Sequence, residues 1–132
     1  MESFLMAYNE SQTWYVCFAS STVSPWYAKL LHPMYRHVYL LSEVEGGVLY
    51  VDCMRHALAV SVRPGNIEEY LGSGAVLCRI VHYGMLYKPA PLRMLSCVSI
   101  ALMLLGINKR IFTPRGLYKE LKKAGAMVIR DV

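Results

Sequence analysis

The stretch MLSCVSIALMLLG, residues 94–106, decides the fold expected for this chain. Its body is apolar on every side, which is typical of a helix that is buried by other elements. Ser96 is a preferred N-cap residue and Gly106 is a preferred helix stop. The helix is therefore predicted to begin at Cys97, to end near Gly106, and to require other elements around it.

The segments before and after this helix predict a sheet and a few further helices. Runs of β-branched and aromatic residues, separated by glycine and proline, indicate strands. A second capped helix begins with Thr113 and Pro114 and ends at Gly125. The predicted class is α+β, with one domain over residues 1–132 in which an antiparallel sheet packs against the buried central helix. Strands are predicted at 14–20, in a hairpin over 37–53 with its turn at 45–47, at 57–62 and at 75–86, and helical segments at 24–31 and 66–71.

The composition excludes several classes of protein. Hydrophobic residues make up 55% of the 132 residues and charged residues 17%, which excludes a disordered chain and suggests that some apolar surface meets a partner. The longest uncharged apolar run falls short of the ~18 to 20 residues that span a membrane. The first ten residues, MESFLMAYNE, lack the basic region of a secretion signal. We therefore expect neither a membrane span nor secretion.

The four cysteines stand singly along the chain, at positions 17, 53, 78 and 97. Neither C-x-x-C nor a Cys/His pair at zinc spacing occurs, so the sequence predicts no metal site and no cofactor. In a protein that is not secreted the cysteines are expected to be thiols.

Cys97 allows two interpretations. A helix N-terminus presents unpaired N–H groups and the positive end of the macrodipole, which favours a thiolate nucleophile and can stabilise an oxyanion. A free cysteine on an apolar helix also serves simply as a small packing residue.

A cysteine nucleophile needs a base, and His37 is the best placed of the four histidines. It begins the first strand of the predicted hairpin, where an imidazole is half-exposed and oriented. His82 lies in an apolar strand and is interpreted as a core histidine. His32 precedes a proline that ends a predicted helix, and His56 flanks a predicted strand.

The returning strand of the hairpin brings Asp52 near His37, where it would fix the ring tautomer. The alternative is that Asp52 only ends a strand, because a shift of one residue in register would turn it to the other face.

The order His37, Asp52, Cys97 resembles the circularly permuted members of the papain-like, NlpC-type superfamily, which includes the lecithin:retinol acyltransferase-like proteins. HVYLL at 37–41, YVD at 50–52 and SCVSIALMLLGI at 96–107 carry the resemblance. With FTPRGLYKEL at 112–121, the pattern is also similar to small proteins of tailed phages and prophages. The resemblance implies a catalytic Cys97, with His37 as base and Asp52 as the third residue.

This chain departs from that pattern at two positions. Tyr39 stands where the superfamily often has a small residue, and Asp52 stands where it commonly has histidine, asparagine or glutamine. The sequence also offers no clear second donor for an oxyanion hole. These departures bear on turnover rather than on the fold.

Three functions follow as expectations. The first is a cysteine hydrolase or acyltransferase acting on an amide, ester or isopeptide carbonyl, with cell-wall peptide as the substrate in a phage context. The second is a non-catalytic virion structural protein in the connector, tail or capsid, with Trp26, Tyr27, Tyr35 and Tyr87 as exposed anchors. Either would place the protein in the virion or the host cytoplasm. The third is nucleic-acid binding through a basic face between Lys109 and Arg130, which holds seven of the 14 basic residues but few aromatic ones.

Overall fold

The structure is a computed structural model, and it describes residues 11–20, 35, 37–54, 57–83 and 96–131. Within these residues the chain forms six strands, two α-helices and one short 3₁₀-helix at Ile67–Tyr70. The strands form one antiparallel sheet in the order β4-β3-β2-β1-β5-β6. This is the α+β arrangement that the sequence predicted. The elements are β1 (Ser11–Ala19), β2 (His37–Val44), β3 (Gly47–Met54), β4 (Ala57–Arg63), β5 (Val76–His82), α1 (Cys97–Leu105), α2 (Pro114–Lys123) and β6 (Met127–Arg130).

The hairpin of β2 and β3 turns at Glu45 and Gly46, as predicted, and its register pairs Val44 with Gly47. Gly47 is required there because the backbone of β4 comes close. A Cβ atom on Gly47 would lie 2.1 Å from the carbonyl oxygen of Arg63, far inside van der Waals contact. The turn and this close approach together fix the register of the three strands β2, β3 and β4.

Apolar residues alternate along the strands, so that each face of the sheet has its own core. The larger core lies on the side of α1 and α2 and includes Val16, Phe18 and Leu40. The smaller one includes Cys17 and Leu41 and is covered by the 3₁₀-helix. Because each face has its own apolar set, a slip of one residue would exchange the two cores.

Helix α1 begins and ends where the sequence predicted. The Ser96 hydroxyl accepts from the Ser99 N–H at 3.1 Å, and the Ser96 N–H donates to the Ser99 hydroxyl at 2.9 Å. Gly106 ends the helix with a φ of 68°, in the left-handed region that favours glycine. The helix packs on β2 and β3. Most of its side chains are buried: Val98, Ile100, Ala101, Leu102 and Leu105.

Helix α2 also agrees with its predicted caps. The Thr113 hydroxyl accepts from the Gly116 N–H at 3.0 Å, and Pro114 is the first helical residue. Its stripe of Leu117, Tyr118 and Leu121 is buried. The helix thereby covers the part of the core that lies against β5 and α1.

Several predictions made from the sequence were wrong in detail. His82 is exposed rather than a core residue. Tyr35 is only 7% exposed and packs edge-on against Phe18, so it cannot be a surface anchor. The strand β6 was not predicted, because four residues after a glycine give too short a pattern.

Other predictions fall outside the described residues. These are the helix at 24–31, the anchors Trp26, Tyr27 and Tyr87, and the histidines His32 and His56. In the part of the chain that the structure describes, no helix is long and apolar enough to cross a membrane.

Candidate active site

His37 and Asp52 meet across the hairpin of β2 and β3. The register pairs Tyr39 with Asp52, so His37, two residues earlier, is a diagonal neighbour of Asp52. The Nε2 atom of His37 lies 2.5 Å from the Oδ1 atom of Asp52. Their side chains are only 14% and 13% exposed, so water screens this contact weakly. The orienting contact that the sequence predicted is therefore present.

The pKa of His37 reflects opposing effects of its surroundings. Burial is the largest effect and by itself lowers the pKa, because it disfavours the charged ring. The hydrogen bond to Asp52 and the hydrogen bond and charge interaction with Cys97 act in the other direction. Together they raise the pKa of His37 from 6.5 to about 9. The ring is therefore protonated and positively charged at neutral pH. It lies between the Asp52 carboxylate and the Cys97 side chain.

The Cys97 thiol is the second partner of the His37 ring. Cys97 is the first residue of α1 and is partly buried, and its side chain is hydrogen-bonded to His37. Since Asp52 engages Nε2, Nδ1 is the ring nitrogen left for the sulfur. The three residues that the sequence singled out thus form one contiguous chain of side chains, from carboxylate through imidazole to thiol.

The N-terminus of α1 also supplies hydrogen-bond donors beside the sulfur. The Ser99 N–H is held by the Ser96 hydroxyl, and the Ile100 N–H donates to the Ser96 carbonyl at 3.0 Å. No acceptor among the described residues takes the N–H groups of Cys97 and Val98. These two groups are consequently available to an oxygen that binds next to the thiol.

A glutamine side chain can donate to an oxyanion, and this chain has one glutamine. The one glutamine, Gln12, donates to Ser42 and to the Glu43 carbonyl. It lies near the start of β1, whereas His37 pairs with Ala19 at the opposite end of that strand. The N–H groups of the first turn of α1 are the backbone donors next to Cys97.

Ser99 is the site residue that the sequence reasoning missed. Its hydroxyl accepts from the Ser96 N–H while its own N–H donates to the Ser96 hydroxyl, and these two bonds form a capping box. The Ser99 hydroxyl also donates to the Ser96 carbonyl at 3.0 Å. The spacing S-x-x-S at 96–99 could have predicted this capping box. Ser99 occupies the third helical position, where a glutamate or glutamine is more usual. The box fixes the backbone on both sides of Cys97.

The other described cysteines lie in different surroundings. Burial raises the pKa of Cys17 to about 12, and it also raises the pKa of Cys78. Cys17 is fully buried in the smaller core. Of the three cysteines whose side chains the structure describes, Cys97 alone has a histidine as hydrogen-bond partner.

Two further features of the described residues concern metal binding and basic charge. Within the described residues, no group of three or more His, Cys, Asp or Glu side chains is placed to hold a metal ion. The basic segment from Lys109 to Arg130 is partly neutralised. Lys109 pairs with Glu120 at 2.5 Å, and Arg130 donates to the carbonyl of Gly74 at 2.8 Å.

Comparisons of the chain with models of known protein families, with curated proteins and with solved structures found no match. The geometry of Cys97, His37 and Asp52 is therefore the observation from which a function is inferred.

Proposed function

We propose that the protein is a cysteine hydrolase or acyltransferase with a permuted papain-like architecture, in which Cys97 attacks the carbonyl of an amide, ester or isopeptide. One observation carries the proposal: the His37 ring bonds to both the Cys97 thiol and the Asp52 carboxylate. The arrangement of a nucleophile, a base and an orienting group within hydrogen-bond reach is the usual sign of nucleophilic catalysis. The chain order His37, Asp52, Cys97 and the antiparallel sheet against α1 support the papain-like assignment.

The first step forms a thioester. Cys97 reacts as a thiolate, with the proton already on His37, and this imidazolium is stabilised by its hydrogen bond to Asp52. The sulfur of Cys97 then bonds to the carbonyl carbon, and the negative charge that develops on the oxygen is met by the N–H groups at the start of α1. As the tetrahedral intermediate collapses, the bond to the leaving amine or alcohol breaks and His37 returns a proton to that group.

The second step releases the acyl group. His37, now neutral, takes a proton from water or from an acceptor hydroxyl or amine, which attacks the thioester carbonyl. The carbon–sulfur bond breaks and the thiol of Cys97 is restored with the proton held by His37. Water as the acceptor gives hydrolysis, whereas another nucleophile gives acyl transfer. In a phage context, cell-wall peptide would be a substrate with suitable amide bonds.

Acylation by an activated ester tests the proposal. On incubation with p-nitrophenyl acetate, we expect intact mass and peptide mapping to place the acetyl group on Cys97, with continued release of p-nitrophenol. The Cys97→Ala variant should lose both signals. His37→Gln should slow acylation by about 100-fold or more, because a positioned base contributes at least that much. Cys78→Ala is the matched control and should react as the wild type does.

Two results would overturn the proposal. One is acylation, or labelling by iodoacetamide at neutral pH, that is no faster at Cys97 in the folded protein than in the chain unfolded in urea. The other is equal activity in Cys97→Ala and wild type. Either result would favour the virion structural role, in which the fold is kept without turnover.

A further inference from the structure

The strand β4 forms an edge of the sheet that is exposed along its whole length. Among the described strands only β3 pairs with it, and all seven residues from Ala57 to Arg63 are exposed. On one face of the strand, Leu58, Val60 and Val62 are 46%, 57% and 57% exposed. Such a strand presents both an apolar stripe and a row of unpaired backbone N–H and C=O groups.

Natural proteins protect edge strands with charges, prolines, bulges or short length, and β4 has no proline or bulge and only one charge, at its last residue. Residues 57–62 contain no charge, proline or glycine. The pairing with β3 runs without a bulge from Val48 opposite Arg63 to Met54 opposite Ala57. Arg63 is the only charged residue of the strand, and its guanidinium lies 3.9 Å from the ring centroid of Tyr50, back over the sheet itself.

The strand β6, at the opposite edge of the sheet, has several of these protective features. The strand β6 is only four residues long, and its pairing with β5 is broken by an irregularity between Val76 and Leu77. Its Arg130 bends back to carbonyl groups of the loop at 71–74. Of the two edges, β4 is therefore the longer and the more regular.

We propose that β4 pairs antiparallel with β4 of a second copy of this chain, about a two-fold axis through Val60. The strand sequence ALAVSVR is self-complementary about that residue. Leu58 falls opposite Val62 of the second copy on one face, and Ala59 falls opposite Ser61 of the second copy on the other. Apolar residues thus meet apolar residues and small residues meet small ones, as an isologous contact requires.

The charges of the strand are compatible with this pairing. Arg63 lies at the end of β4, so the two arginines stand at opposite ends of the paired strands, about 20 Å apart at the rise of an extended chain. No like charges therefore meet in the contact. A strand of another protein would need apolar residues at the positions that face Leu58, Val60 and Val62. The β4 strand of a second copy has apolar residues at those positions because the pairing is symmetric.

The size of the contact sets the strength of the dimer. Seven residues from each copy are well below the roughly 20 to 30 residues per side of a stable interface. The dimer should therefore be weak and reversible, and it should form as the protein concentration rises through the micromolar range. Its formation does not depend on the proposed catalysis, so Cys97→Ala should dimerise as the wild type does.

Sedimentation velocity over a concentration series, from about 1 µM to about 500 µM, tests the pairing. The wild type should change from monomer to dimer across the series. Val60→Lys should stay monomeric throughout, because it places two lysines face to face on the axis. Ile80→Lys is the matched control: Ile80 is also 57% exposed but lies on β5, and this variant should dimerise normally.

Hydrogen exchange of the wild type gives a second test that needs no variant. Amides of residues 57–63 should exchange more slowly as the concentration rises, while those of β6 should not change. A wild type that stays monomeric, β4 amides that exchange independently of concentration, or a dimer that Ile80→Lys disrupts and Val60→Lys does not would each overturn the pairing. The first outcome would leave β4 as a site for a strand of another protein.

Discussion

The Nε2 atom of His37 lies 2.5 Å from the Oδ1 atom of Asp52, although 15 positions separate the two residues in the chain. The two-residue turn of the β2–β3 hairpin determines this contact, since it sets which residues of the strands face each other. In a hairpin, residues that are close in the chain face each other, so no distant element is needed to bring Asp52 to His37. The contact therefore forms together with the sheet itself.

Replacement of Asp52 by asparagine should lower the pKa of His37. Burial acts to lower this pKa, and the hydrogen bond to Asp52 is the largest of the effects that raise it to about 9. Without the carboxylate charge we expect a value below about 8. An NMR titration of the His37 ring protons measures it. Glu120→Gln, which removes a carboxylate paired with Lys109 instead, should leave the His37 titration unchanged.

His37 should also make the protein more stable in mild acid than in mild base. The folded state binds the His37 proton more tightly than the unfolded state, whose pKa is near 6.5. Its contribution is fully present below pH 6.5 and is lost as the pH rises through about 9. The contribution is about 1 to 3 kcal/mol.

Urea unfolding at several pH values checks this prediction. The difference in the free energy of unfolding between wild type and His37→Gln should shrink as the pH is raised from 6 to above 9. The pKa of His37 in the unfolded chain, 6.5, and in the folded chain, about 9, set the approximate limits of this change. Other titrating groups are common to both proteins and cancel. A difference that grows with pH would have the wrong sign and would contradict the raised pKa.

Loss of the α1 cap should affect both stability and the thiol. Ser96→Ala removes the hydroxyl that accepts from the Ser99 N–H and should cost about 1 kcal/mol in the free energy of unfolding. Because Cys97 is the next residue, its alkylation rate should fall as well. Thr113→Ala removes the equivalent cap of α2 and should cost a similar amount while leaving the alkylation of Cys97 unchanged. If the two variants behave alike toward iodoacetamide, the cap does not position the thiol.

The cysteines should differ strongly in their reactivity in the folded protein. The pKa of Cys17 is raised from 9.0 to about 12 by burial, which lowers its thiolate population by about a thousandfold. Cys97, partly exposed and bonded to His37, should be alkylated first, with Cys78 slower and Cys17 last. Peptide mass spectrometry after brief iodoacetamide treatment gives the order. In urea the order should disappear, and native labelling of Cys17 ahead of Cys97 would contradict the burial described here.

Local signals in the sequence located most of the elements. The caps Ser96 and Thr113 and the stop at Gly106 act within a few residues, so they could be recognised without any tertiary contact. The hairpin turn at Glu45 and Gly46 is equally local. These features also predicted that Cys97 lies at the first turn of α1 and that Asp52 approaches His37.

Burial and distant pairing needed the tertiary structure. His82 was expected in the core because its neighbours are apolar, yet alternation along β5 turns it outward. Tyr35 was expected at the surface, but Phe18 and Tyr118 enclose its ring. The strand β6 is recognisable only through its pairing with β5, about 50 residues earlier in the chain.

The sequence by itself determined where α1 starts, that Cys97 stands at its N-terminus, and that a hairpin carries His37 and Asp52, because caps and turns are local. Only the tertiary structure decided that the thiol reaches the His37 ring and that β4 is left as an open edge. A contact between a helix and a strand 60 residues apart depends on how the whole apolar core packs, and no short pattern encodes that packing.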